Sequence, residues 1–172
     1  SVTVGTSFDY TAFLKIASLT YKKDKLQIDM GMVGLMQMKY QEQYWNHRYV
    51  YKSLQDESKM GTTADLGAIV SYKFTDFLSA DLTVRNGEGY KKLENDNALR
   101  SAVGITFTPQ PEGLILRGFY DYIEKQEAQF VIAHFVGYRT EKLTAGAEYN
   151  LELNSNDKKD NTLIGFSVYS SY

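Results

Sequence analysis

The chain has 172 residues, a formal net charge of -2, no cysteine and 14 tyrosines. A charge this close to zero gives no basis for binding nucleic acid, which attracts strongly basic domains. The mean hydropathy is -0.38, and no apolar run approaches the ~20 residues that a helix needs to span a membrane. The length suits one domain, which we expect to cover residues 1–172.

Apolar and polar side chains alternate through most of the chain in segments of roughly ten residues. This period of two predicts β-strands with one apolar and one polar face. In chain order, the predicted strands cover residues 2–8, 11–21, 26–36, 64–74, 77–86, 98–108, 113–123, 126–139, 142–153 and 161–172. Only residues 41–57 leave room for a turn or two of helix, so the sequence predicts an all-β protein of about ten antiparallel strands.

Short and long links alternate between these strands. Short turns are expected at residues 22–25, 75–76, 109–112 and 140–141, and the remaining links cover residues 39–63, 87–97, 124–125 and 154–160. Antiparallel strands then place the short turns at one end of the sheet and the other links at the opposite end. This parity is typical of a transmembrane β-barrel, whose short turns face the periplasm and whose long loops face the cell exterior.

The alternation also assigns two faces to each strand. In residues 77–86 we expect Leu82 and Val84 to face lipid, and Asp81 and Arg85 to face the interior. A charge on the lipid face near the midplane costs ~2–4 kcal/mol, so charged side chains should point inward. Residues 126–139 fit either assignment, because Phe130, Ile132 and Val136 or Val131, Ala133 and Phe135 could face lipid.

Catalytic and metal-binding motifs are not evident in the sequence. His47 and His134 are far apart, there is no cysteine to complete a zinc site, and no serine lies in a Gly-x-Ser-x-Gly turn. Residues 154–160 lack the ligand spacing of a calcium-binding loop. We therefore expect no enzyme activity, no metal and no cofactor.

Several motifs in order along the chain carry a family resemblance. They are YQEQYWNHRYVYKSLQDESKMGTTADLGAIVSYKF at residues 40–74, DFLSADLTVRNGEGYKKLENDNALRSAVGITFTP at 76–109, RGFYDY at 117–122 and GAEYN at 146–150. This run, over about residues 26–172, resembles the phosphate-selective porin O/P family, especially its forms in Bacteroidota. In that family a long loop with an aromatic-Arg-Tyr-Val stretch precedes a strand that opens with Ala-Asp-Leu-Gly.

The resemblance implies a bacterial outer-membrane porin, commonly trimeric, with roughly sixteen strands and one loop folded into the pore. Residues 39–63 match that loop, a basic loop residue of the family falls at Lys52, and an acidic residue at the next strand falls at Asp65. The chain departs from the family in having room for only about ten strands. Its inward charges are mixed rather than an arginine ladder, so phosphate selectivity is not implied.

The expected function is passive diffusion of small hydrophilic solutes or ions across the outer membrane. The expected partners are the lipid bilayer, lipopolysaccharide, small polar or anionic solutes, and further copies of the chain. The alternative is a structural or adhesion barrel with a plugged lumen, or a subunit of a larger membrane complex. The residues expected to line the pore are Arg48, Lys52, Asp65, Lys73, Asp81, Arg85, Arg100, Arg117, Asp121, Lys142 and Glu148.

Overall fold

A computed structural model describes residues 14–47, 49–50, 52–91, 97–110 and 113–172 of the chain. These residues form nine β-strands. The strands are β1 (Ala17–Lys23), β2 (Leu26–Gly34), β3 (Ala64–Lys73), β4 (Leu78–Arg85), β5 (Arg100–Phe107), β6 (Gly113–Glu124), β7 (Ala128–Arg139), β8 (Thr144–Leu153) and β9 (Leu163–Ser171). The predicted all-β, antiparallel class is therefore confirmed.

The strands form one sheet in which each strand pairs with the next along the chain. Every pairing is antiparallel, and the spatial order is β1 to β9 without a crossover. Within the described residues β1 and β9 do not pair with each other, so the sheet is open at both edges. β2 to β9 begin and end close to their predicted ranges. β1 begins at Ala17, later than the predicted start at residue 11, and it includes Lys22 and Lys23, which were predicted to lie in a turn. The strand predicted at residues 2–8 lies outside the described residues.

Two helices lie in the long link between β2 and β3. They are α1 (Met36–Trp45) and α2 (Leu54–Glu57). α1 contacts β7 and β8, and α2 contacts β9. We call the sheet face under these helices the inner face and the opposite face the outer face. No helix in the described ranges is long and apolar enough to cross a membrane.

Apolar and charged side chains are distributed between the two faces in the opposite way to a soluble protein. Along β6 the residues alternate strictly, with Arg117 and Asp121 buried and Leu116 and Tyr120 exposed. The same alternation exposes a row of large apolar side chains on the outer face of most other strands, including Leu19, Met30, Leu66, Leu82, Val84, Ile105, Phe107, Val136, Tyr149, Ile164, Phe166 and Val168. The predicted faces agree with this burial pattern.

The structure of β7 shows which of the two rows in residues 126–139 lies on the outer face. Val131, Ala133 and Phe135 are buried on the inner face, so Phe130, Ile132 and Val136 lie on the outer face. Here the inner residues are apolar because they pack beneath α1: the Tyr44 and Phe135 rings meet edge to face, with centroids 5.6 Å apart. His134, on the alternate row of the same strand, lies on the outer face.

The predicted turns at residues 75–76 and 140–141 are stabilised by the same type of threonine hydrogen bond. Thr75 Oγ1 accepts a hydrogen bond from the Leu78 amide at 3.0 Å, and Thr140 Oγ1 accepts one from the Leu143 amide at 3.0 Å. Threonine side chains often bond nearby backbone groups in this way, which favours a turn over continued strand. The turn before β8 contains Lys142, which is exposed there and not on the inner row of a strand as predicted.

Close approach of two strands requires glycine at position 67. A Cβ at Gly67 would lie 2.3 Å from the Val84 carbonyl oxygen, whereas a Cβ at Gly118 would meet only His134 Nδ1, at 3.9 Å. We expect Gly67→Ala to lower the free energy of unfolding by about 1–3 kcal/mol through overpacking. The control Gly118→Ala should stay within about 0.5 kcal/mol of the parent. Equilibrium unfolding in urea measures both, and equal effects would contradict the observed contact.

Candidate functional site on the inner face

Arg117 forms the most elaborate polar contact of the inner face. Its guanidinium donates to both carboxylate oxygens of Asp81, at 2.7 and 3.0 Å, and to Thr106 Oγ1 at 2.7 Å. Arg117 lies on β6 and Asp81 on β4, so the side chain crosses β5. It passes over Gly104, where a Cβ would lie 2.2 Å from Arg117 Nη2. The missing side chain at position 104 therefore allows an ion pair between strands that are not neighbours.

A second cluster of charges lies nearer the long loops. Arg85 and Arg100 stand directly opposite each other on β4 and β5, a pairing that would be repulsive alone. Asp121 on β6 bridges them, with one carboxylate oxygen 2.5 Å from Arg85 Nη2 and the other 2.5 Å from Arg100 Nε. Asp65 lies 3.7 Å from Arg85 Nε and accepts the Gly87 amide at 2.8 Å. All four side chains are nearly or fully buried.

α1 is docked onto these charges through polar and aromatic contacts. Gln37 Oε1 accepts a hydrogen bond from Arg117 Nε at 2.9 Å, and the Tyr40 ring centroid lies 4.9 Å from the guanidinium carbon. A guanidinium over an aromatic face gains from the ring quadrupole, and more so when water is excluded. Burial raises the pKa of the Tyr44 phenol, a change that nearby Arg139 partly offsets. The helix therefore completes the surroundings of a buried arginine.

A cavity of about 180 Å³ lies between the helical segment and the last two strands. Trp45, Ser53 and Leu54 form one side, and Glu148, Ser167 and Tyr169 the other. Glu148 is only 4% exposed, and within the described residues its Oε2 and the Tyr169 hydroxyl make no hydrogen bond. Pairing of β8 with β9 brings residues 148 and 167 side by side.

The structure brings most of the predicted pore-lining residues to the same face. Those buried on the inner face are Asp65, Asp81, Arg85, Arg100, Arg117, Asp121 and Glu148. Lys73 is exposed and lines a groove at the short-turn end together with Lys22, Lys25 and Lys39. Lys52 is also exposed, 3.8 Å from Glu57, and Arg48 lies outside the described residues.

Sequence reasoning missed the residues that complete these clusters. Gln37 falls between the predicted strand at 26–36 and the predicted link at 39–63, and it is fully buried against Arg117. Trp45 and Tyr169 are 124 positions apart, yet their ring centroids are 4.9 Å apart. The small residues Ala102 and Gly104, on the inward row between two charged strands, were a signal that long side chains cross there.

The described residues contain no group of side chains that suits a metal centre. Across the ranges that the structure describes, His, Cys, Asp and Glu side chains do not come together in a group of three that could hold a metal ion. His47 bonds Ser171 Oγ at 2.8 Å through Nε2 and the Tyr49 hydroxyl at 3.1 Å through Nδ1.

Comparisons with protein-family models, with curated proteins and with solved structures found no match to this chain.

The Arg117–Asp81 pair can be tested for its contribution to the fold. We expect Asp81→Leu alone to lower the free energy of unfolding by about 3–5 kcal/mol, because it leaves Arg117 buried without a partner charge. The double variant Asp81→Leu with Arg117→Met should recover most of that loss. Urea unfolding of the parent, both single variants and the double variant gives the coupling energy. Additive single effects would contradict the buried pair, and Lys142→Gln serves as an exposed control.

Proposed function

We propose that this sheet forms wall strands of a transmembrane β-barrel in a bacterial outer membrane, and that the barrel passes small hydrophilic solutes by diffusion. The observation that carries the proposal is the inverted distribution of side chains: apolar rows cover the outer face while ion pairs lie on the inner face. A β-barrel in lipid requires this distribution. A soluble barrel that holds an apolar ligand requires the reverse.

The size of the apolar surface also favours a membrane. Soluble monomers rarely expose a contiguous apolar patch of more than a few hundred Å². Here apolar side chains face out on strand after strand, as Leu82, Ile105 and Val136 do on β4, β5 and β7. Lipid is the environment in which such a surface is stable, because exposing the same rows to water would favour aggregation.

Closure of the wall requires pairing of the two open edges. In a bilayer an unpaired strand edge leaves backbone N–H and C=O groups without partners, which costs several kcal/mol for each group. The edges at β1 and β9 must therefore be joined through further strands, from the same chain or from other copies of it. The resemblance to porins of roughly sixteen strands, commonly trimeric, supports further strands, and the outer rim would contact lipopolysaccharide.

Charge balance on the inner face argues against selectivity for phosphate. Three buried arginines are matched by three buried aspartates, and Glu148 and Glu152 add two further carboxyl groups. Among the described residues, each buried arginine of the inner face is therefore already paired with a carboxylate rather than open to a phosphate oxygen. We propose passage of small polar solutes and cations, with the α1–α2 segment narrowing the lumen in the manner of the porin family's inward loop.

A second candidate is a structural barrel whose lumen is filled by its own side chains. The close packing of the α1–α2 segment favours it: Gln41 is completely buried, and Gln55, Met38 and Met60 are almost so. Such a wall would hold its shape but conduct little. The two functions differ in whether the parent protein forms ion channels at all.

Excision of the helical segment separates these two functions. The Leu35 amide donates a hydrogen bond to the Thr63 carbonyl at 3.1 Å, so the two ends of the segment are adjacent. Residues 36–62 can therefore be replaced by a two-residue Asn-Gly turn, which suits a hairpin. In planar bilayers we expect stepwise channels from the parent protein, and a several-fold larger conductance from the excised variant because the constriction is gone.

The matched control replaces residues 155–160 in the β8–β9 loop by the same turn, which should leave the conductance unchanged. Channels only after excision would favour the plugged structural barrel over a porin. Absence of channels from both proteins, with β-structure and membrane insertion intact, would contradict the proposed transport.

A further inference from the structure

We propose that the cavity beneath α2 binds a small organic cation, of the primary or quaternary ammonium class. The site is distinct from the ion-pair clusters of β3–β6. It also lies on the inner face, but near the β9 edge of the sheet, between the helical segment and β8–β9. The inference concerns binding and does not depend on whether the protein conducts.

The first argument is a buried carboxylate with an unused oxygen. Glu148 is 4% exposed, its Oε2 has no hydrogen-bond partner within the described residues, and none of the ion pairs formed there includes it. A carboxylate removed from water is unfavourable unless a positive or hydrogen-bonding group compensates it. All three buried arginines are already paired with aspartates, so none of them compensates Glu148, and a cationic ligand in the cavity would.

The second argument is the pair of aromatic rings that lines the same cavity as this carboxylate. Trp45 and Tyr169 both line the cavity, and their rings meet at an interplanar angle of 61°. Ammonium groups bind to aromatic faces, and tryptophan is the strongest of these partners. A carboxylate and two aromatic rings lining one cavity is a combination that recognises a desolvated ammonium. The Tyr169 hydroxyl and Ser167 offer hydrogen bonds to a polar tail.

The size and the rim charge agree with a small ligand. A volume of about 180 Å³ corresponds to roughly six water molecules in the liquid, which suits a ligand of choline's size. Lys52 lies at the rim, and its ammonium points towards Glu57, 3.8 Å away. The rim lysine weakly opposes a cation, so its removal distinguishes a cationic ligand from an anionic one by the sign of the effect.

The chain contains one tryptophan, so intrinsic fluorescence reports directly on this cavity. The experiment titrates the detergent-solubilised protein with choline and, separately, with 3,3-dimethyl-1-butanol, which has the same shape but no charge. We expect choline to give a saturable change in Trp45 emission and the neutral analogue to give none. Glu148→Gln should weaken choline binding about tenfold or more, since it removes a charged partner.

Two further variants keep the test decisive. Glu141→Gln, in an exposed turn, should bind choline like the parent. Lys52→Gln should tighten choline binding roughly twofold, as expected for removal of an exposed like charge. Because Lys52 is exposed, this substitution leaves the buried side chains of the cavity unchanged. Far-UV circular dichroism confirms the fold of each variant.

Three results would overturn the assignment. One is the absence of a saturable response in the folded parent. Another is an equal response to choline and its neutral analogue. The last is weaker choline binding after Lys52→Gln, because removing a positive charge from the rim should not weaken binding of a cation in this cavity.

Discussion

Each buried arginine of the inner face must meet a carboxylate, and this requirement fixes the arrangement of the central strands. Arg117 reaches Asp81 across β5, and Asp121 bridges Arg85 and Arg100 from the neighbouring strand. A slip of one residue in any of these pairings would turn the charges to the outer face. It would also bury apolar rows where the ion pairs now lie. The charges therefore specify the register of β4, β5 and β6, and with it the division of the sheet into two faces.

The helical segment depends on the same charges. Gln37 and Tyr40 of α1 complete the surroundings of Arg117, while Tyr44 packs on the apolar part of the inner face at Phe135. Wall and segment are thus one packed unit, and the segment cannot leave without exposing a buried guanidinium. This coupling explains how a chain segment rich in amide and aromatic residues holds a fixed position. In the proposed channel, it also gives the constriction a defined width.

Alternation in the sequence was sufficient to predict the strands and most of the faces, because burial on one side of a sheet imposes a period of two. It could not predict α1, whose residues show little amphipathic pattern and whose position is set by contacts with β6, β7 and β8. Lys142 was misplaced because Thr140 closes the turn two residues further than alternation suggests. The cavity at Glu148 could not be predicted from the sequence either, because Trp45, which also lines it, is more than 100 positions away in the chain.

The central claim is that the outer face contacts lipid, and nitroxide accessibility tests it most directly. The chain has no cysteine, so single cysteines can be placed without other changes. Labels at Leu82, Val103 and Ile105 probe the outer face of β4 and β5, and a label at Asp76 provides an exposed reference in a turn. In lipid vesicles we predict that the three strand labels collide readily with dissolved oxygen and are shielded from a water-soluble nickel chelate. Nickel accessibility equal to that of the turn label would show that this face meets water, and would contradict the account.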